Sequence, residues 1–316
     1  MSDSDLAVAV YFIQPPFTSK TEQLGCYYFN ILNAVELCRK WNAAIVPPRI
    51  PLAPRDNTKV ELNSTEDWGK HILELGSVDS REVFDYSKIK TIDLEQFYRD
   101  SGGRVFMKQD TFDISGLQFT KDATSKYFAL NIPPRWDTQS YDPHIFYSDL
   151  YPMLPLNSSI TEQRIPDWYD KIKFQPFLGV HWRRGDRGNA SLGQIGRILW
   201  LLTDPSVVAI HINNYLLENP HLQWVYVSTN SSSESDKELL RSLVNKPLHF
   251  LNRPSDVKPL DIWKWDLTDL LLCAKTNHLL LSPGGLNNSS AFGRLMFAES
   301  IRQNPETALV TFMPYN

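Results

Sequence analysis

The feature that most constrains this chain is the alternation, through its second half, of short apolar runs with segments of helical period. Strands are predicted at Phe177–Trp182, Gln223–Ser228, Leu248–Leu251, His278–Leu281 and Ala308–Phe312, and helices over Pro205–Glu218, Ser235–Val244, Leu267–Ala274 and Ser289–Arg302. Such a rhythm demands a parallel sheet, because each crossover helix lies on a sheet face and covers it. Ligands of these sheets bind beyond the carboxyl ends of the strands. The fold class is therefore α/β, and the strand ends are where functional residues are to be sought.

The first half opens the same way. Ala7–Ile13 reads as a buried strand closed by Pro15-Pro16. Residues 27–41 then carry apolar side chains at Tyr28, Ile31, Leu32, Val35 and Cys38, a helical stripe, and Ala43–Val46 before Pro47-Pro48 reads as the next strand. Residues 48–81 are predicted as loops with a helix over Trp68–Leu75, and Glu82–Tyr86 with Ile92 as a less regular α/β stretch. Between Asn131 and Pro155 the prolines at 133, 134, 143, 152 and 155 suit a connector. With 316 residues to divide, two domains are expected, at 1–165 and 166–316, with the boundary inside 155–172.

A composition of 42% hydrophobic and 22% charged residues permits a large core, and the net charge of −4 argues against a protein that coats nucleic acid or an anionic membrane. Cys26, Cys38 and Cys273 form no CxxC pair and no zinc-spaced cluster, so neither a disulfide framework nor a metal site is expected. The polar residues 1–5 and the short apolar run ending at Ile13 predict no signal peptide and no membrane anchor. Sequons occur at Asn63, Asn157, Asn189, Asn230, Asn287 and Asn288, and those at 189 and 287–288 fall where a glycan would obstruct the predicted site. The expected compartment is the cytoplasm, the alternative being a secretory lumen reached through a targeting segment absent from this chain.

The densest chemistry is Gly179-Val-His181-Trp-Arg183-Arg184-Gly-Asp186-Arg187, where the first strand of the second half ends. Arginine carries a permanent charge on a planar fork, so two or three arginines and a histidine at a strand end make a pyrophosphate clamp that Asp186 could orient. The alternative is a solvated charged turn.

His-x-Arg-Arg-x-Asp at a strand end resembles the motif shared by the fucosyltransferases that make α1,2-, α1,6- and protein O-linked fucose. Other stretches resemble that family in the same order: Asn33 to Pro48, its first helix and second strand; Phe84 to Glu95, a short strand and helix; Val225 to Thr229; Asp269 to His278; and Ser289-Ser290-Ala-Phe292, its nucleotide-binding stretch. The resemblance implies a GT-B architecture, two Rossmann-like domains facing a cleft, with an acceptor-side first domain and a second domain that holds GDP-fucose. It implies inverting, metal-independent transfer of fucose to a hydroxyl of a protein, glycan or small molecule, with no cofactor beyond the donor. No persuasive DxD motif contradicts this, since Asp3-Ser4-Asp5 lies in a terminal stretch.

Transferred residue by residue, the resemblance has Arg183 or Arg184 neutralise the β-phosphate as GDP departs, and His181 touch the ribose or phosphate. Ser289 and Ser290, opening a helix, would donate to the pyrophosphate or serve as an ordinary N-cap, with Phe292 beside them. Asp266 and Asp269 are candidates for guanine recognition through its N1 and N2 donors, or else routine helix acids. The chain departs from the family in the loop Gln14 to Gly25, which lacks the Gly-rich Asn-Gln segment, and no acid lies in Gly188 to Leu192. Glu22 is the one carboxylate of that first loop and the candidate general base, the alternative being a surface glutamate. Competing functions are a transferase of another nucleotide sugar on the same scaffold and a catalytically silent nucleotide-sugar-binding protein. An RNA-binding module is disfavoured, because no basic stripe or paired aromatic platform accompanies the arginines.

Overall fold

The structure is a computed structural model that describes residues 9–13, 28, 31–32, 34–36, 38–39, 42–51, 77–101, 105–108, 127–131, 153–160, 164–184, 193–258, 261–282 and 291–313. The chain divides into two compact units, Met1–Asn157 and Ser158–Asn316.

The first unit is built on a four-stranded parallel sheet of β1 (Ala9–Ile13), β2 (Ala44–Val46), β5 (Val105–Lys108) and β6 (Tyr127–Asn131), in the order β2-β1-β6-β5. The described residues between 28 and 39 are helical, and Tyr28, Ile31, Leu32, Val35 and Cys38 are all buried, as the 3.6-residue stripe predicts. Burial pushes the Cys38 thiol up to about 12, which makes it an inert core side chain. Asn42 ends this segment at φ 51, in the left-handed region where asparagine is tolerated. An antiparallel pair, β3 (Arg49–Pro51) with β4 (Ser77–Asp79), follows. Two helices come after it, α1 (Ser80–Val83) and α2 (Leu94–Ser101). The predicted helix over 68–75 lies outside the described residues. β5 and β6, which the sequence reading did not anticipate, supply half of this sheet. The connector predicted over 131–155 includes the last residue of β6 and otherwise lies mostly outside the described residues.

The second unit begins with a 3₁₀ turn at Ser158–Ile160 and α3 (Asp167–Ile172). Its elements then run β7 (Phe177–Trp182), α4 (Gly193–Leu202), α5 (Pro205–Glu218), β8 (Trp224–Thr229), α6 (Glu234–Leu243), β9 (Leu248–Phe250), α7 (Ile262–Ala274), β10 (His278–Leu281), α8 (Ala291–Gln303) and β11 (Leu309–Phe312). The predicted alternation is present, with most ends within two residues; α7 begins five residues before the predicted start. α4 was not predicted, because the unbroken apolar run Ile198–Leu202 hides its period and two glycines open it.

All five strands are parallel, in the order β11-β10-β7-β8-β9. The chain winds from β7 outward to β9, then crosses back to place β10 on the other side of β7. The winding reverses between β7 and β10, and the crevice beyond their carboxyl ends is where such sheets bind ligands. β7 is buried along its whole length, as a central parallel strand must be. Leu178, Val180 and Trp182 face a core built with Val208, Ile212 and Leu216 of α5 and Leu240 of α6. The alternate face of β7 carries Gly179 and His181 and packs toward α7. A Cβ on Gly179 would lie 2.6 Å from the Cys273 carbonyl oxygen and 2.8 Å from Thr276 Cγ2, so only glycine lets α7 approach so closely.

Candidate nucleotide-binding site at the second sheet's reversal point

The last residues of β7 are fixed by three neighbours. Trp182 donates its indole N–H to the Thr203 carbonyl at 2.8 Å, and its own carbonyl accepts from Thr229 Oγ1 at 2.7 Å. Across the reversal point, the Ser282 amide donates to the His181 carbonyl at 2.9 Å and the Ser282 hydroxyl to the same carbonyl at 2.7 Å. That hydroxyl also accepts from the Arg183 amide at 2.7 Å. The register pairs His181 with Ser228 on one side and Leu281 on the other. His181 is buried, and its ring centroid lies 6.1 Å from that of Phe292 on α8. Of the predicted nucleotide-contacting residues, His181, Arg183 and Phe292 thus meet at the reversal point, at the ends of β7 and the start of α8.

The two arginines are placed differently. Arg183 is half-buried just past the strand end. Arg184 is buried, and its guanidinium reaches three elements of the fold: Nε donates to Asp236 Oδ2 at 2.6 Å, Nη1 to the Trp200 carbonyl at 3.0 Å, and Nη2 lies 3.6 Å from Asp204 Oδ2. Its plane stacks 3.7 Å from the Trp200 ring, and its backbone N–H donates to Asn230 Oδ1 at 2.9 Å. Asp236 sits in the first turn of α6 and Asp204 is the N-cap of α5, so one cation satisfies two helix starts and the α4 terminus. Burial pushes the Asp204 carboxyl up, but the Ser206 hydroxyl and amide and the Arg184 charge overcome that and leave it below the ordinary carboxylate value.

The two aspartates predicted to read guanine also separate. Asp269 accepts from the Tyr226 and Ser228 hydroxyls, each at 2.6 Å, from the underside of β8. Burial raises its carboxyl to about 7 despite those two donors, and the Asp266 charge adds to the rise. Asp269 thereby holds β8 to α7. Asp266 is half-exposed with Arg253 Nη1 at 3.5 Å. Glu22, Asp186, Ser289 and Ser290 lie outside the described residues. The sequence reading overlooked Asp236, Asn230, Ser282, Tyr226 and Ser228. Asp236, Asn230, Ser282 and Ser228 share a signal of position, each lying at or just past a strand end or in the first turn that follows, whereas Tyr226 lies inside its strand.

Among the described residues, no group of three or more His, Cys, Asp or Glu side chains is placed to hold a metal ion, and no helix is long and apolar enough to cross a membrane.

No family model matches the sequence, and neither does any curated protein. Solved structures do match in fold. A crystal structure of POFUT1 in complex with GDP aligns with a TM-score of 0.55 at 12% identity, covering 97% of this chain and 98% of that one. The fucosyltransferase NodZ from Bradyrhizobium aligns with a TM-score of 0.50 at 12% identity, covering 92% of each chain. The chain thus has an α/β fold that matches those of these two fucosyltransferase structures, with a parallel sheet in each of its two units.

Proposed function

We propose that this protein is a glycosyltransferase that transfers fucose from GDP-fucose to an acceptor hydroxyl, with inversion and without a metal. The observation that carries the reading is the seating of His181-Trp182-Arg183 at the carboxyl end of β7, at the reversal point of a sheet whose fold is shared with a GDP complex of POFUT1. A ligand pyrophosphate in that crevice meets Arg183, whose amide is pinned by Ser282.

The reaction places new negative charge on the β-phosphate as the anomeric C–O bond breaks. A guanidinium donates along two parallel N–H vectors, matching two phosphate oxygens, and stabilises the departing GDP more than the intact donor. Arg183 takes this role. Arg184 holds the strand end in place through Asp236, Asp204 and Trp200, and so acts on the chemistry only through its neighbour. Ser289, Ser290 and Phe292 line the pyrophosphate side in this reading, Asp186 orients the arginine, and Asp266 is the remaining carboxylate for guanine, since Asp269 serves Tyr226 and Ser228. Glu22 is the proposed base toward the acceptor, which is a protein, a glycan or a small molecule.

Nucleotide selectivity tests the reading. Thermal shift and calorimetry with GDP, UDP and ADP should show GDP binding at least about tenfold more tightly than the others, with stabilisation of roughly 2.7 kcal/mol at a hundredfold excess over Kd. Equal binding of all three would remove the guanine-nucleotide assignment. Slow release of free fucose from GDP-fucose without acceptor separates a transferase from a silent binder.

A further inference from the structure

We infer that His221 and His278 form a binding site for an imidazole-preferring divalent transition-metal ion, of the zinc, nickel or copper type, at the edge of the second sheet remote from His181. His278 opens β10, and the strand runs three residues on to Leu281 at the reversal point. At ~3.3 Å per residue the two ends stand about 10 Å apart, so this pair is separate from the nucleotide crevice.

The imidazole nitrogens converge. His221 Nε2 lies 3.3 Å from His278 Nε2. Two ligand nitrogens about 2.05 Å from a tetrahedral ion stand ~3.3 Å apart, the same separation. The ring centroids are 5.0 Å apart with planes at 60°. A straight N–H···N bond of that length would set the centroids roughly 5.6 Å apart, with each lone pair aimed along the line between nitrogens. The shorter distance means that the two rings are not collinear across their hydrogen bond, an arrangement in which both Nε2 atoms can also face one ion.

The surroundings prepare His278 for this role. Its ring is buried, and Nδ1 lies 3.1 Å from the Tyr215 hydroxyl. When Nδ1–H donates to that hydroxyl, the Nε2 lone pair is directed at His221, an outer hydrogen bond of the kind that fixes metal-ligating histidines. Both rings are then neutral, with protons on Nδ1, and the ion replaces the single proton otherwise shared between the two Nε2 atoms. His221 is exposed in the turn between α5 and β8, which gives an ion a path from solvent. Two imidazoles without a carboxylate in contact select zinc, nickel or copper over magnesium or calcium, and water completes the coordination. Bound there, the ion ties the α5–β8 turn to the strand that carries Ser282 to Arg183.

The test uses tag-free, EDTA-stripped full-length protein titrated with zinc chloride by calorimetry and thermal shift, with copper(II) electron paramagnetic resonance to count nitrogen ligands. One ion per chain, a raised melting temperature and two nitrogens are expected. His221→Ala, at an exposed position, should fold normally, weaken zinc at least tenfold and leave one nitrogen; His278→Gln should lose binding, while His211→Ala should retain it. Absence of binding in the wild type, or binding unchanged by His221→Ala, would overturn the assignment.

Discussion

Arg184 Nε donates to Asp236 Oδ2 at 2.6 Å, which commits the second arginine of the strand-end pair to the interior of its own unit. A motif that reads as two equivalent phosphate ligands is divided by the fold into one half-buried residue just past the strand end and one buried residue that ties three helices together. Ion pairs with a buried cation contribute little net stability when intact, yet removing the cation takes a charged donor from groups that the fold has turned inward.

Arg184→Ala should therefore lower stability by about 1–3 kcal/mol, since Asp236 and the Trp200 carbonyl lose their donor while both carboxylates stay partly open to water and Asp204 keeps Ser206. Arg184→Lys should recover only part of this, because an ammonium cannot reach the Asp236 carboxylate and the Trp200 carbonyl together or stack on the indole ring. Urea unfolding of the three proteins checks it. A variant with wild-type stability and impaired nucleotide binding would instead place Arg184 in the crevice.

The sequence disclosed the second unit almost completely, because central parallel strands are continuous apolar runs bounded by turn residues and their helices are amphipathic. It placed the candidate site for the same reason: His181 and Arg183 stand where a strand pattern stops. It did not disclose the division of labour at Arg183 and Arg184, since Asp204 and Asp236 lie 20 and 52 residues further along and only the parallel register brings them together. Asp269 misled in the opposite direction. The resemblance and a carboxylate's two acceptors suggest a base-reading group, and the two hydroxyls that donate to it, on Tyr226 and Ser228, alternate on a strand whose inward faces the sequence could not orient. β5 and β6 escaped notice because Val105–Lys108 and Tyr127–Asn131 are short and lack a clean period.

Asp269 gives stability a specific pH dependence. Its folded value of about 7 lies above the ordinary carboxylate value of 3.8, so between those limits the folded chain holds a proton that the unfolded chain has released. Stability from this group is present at about pH 4 and is lost as pH rises through about 7. In Asp269→Asn that component should vanish. Melting temperatures measured from pH 4 to 8 should show the wild type losing ground to the variant as pH rises; a constant offset would show that Asp269 is ionised throughout.

Gly179→Ala should be costly although both residues are small. The added methyl meets a backbone carbonyl of α7 at 2.6 Å, which cannot swing aside as a flexible side-chain end could. Overpacking of this kind costs about 1–3 kcal/mol. Urea unfolding measures it, and a loss below about 0.5 kcal/mol would mean that α7 shifts freely against β7. Since α7 also holds β8 through Asp269, nucleotide affinity should fall with stability in this variant.

Arg183→Ala, assayed for sugar release and transfer from GDP-fucose alongside GDP affinity and melting temperature, tests the proposed chemistry most directly. The stabilisation supplied by Arg183 grows as the leaving group charges, so kcat should fall a hundredfold or more, about 3 kcal/mol, with GDP affinity reduced less and the melting temperature near that of the wild type. Arg183→Lys should restore little of the rate. A folded Arg183→Ala protein with near-normal turnover of GDP-fucose would contradict the assignment of the reaction to the end of β7.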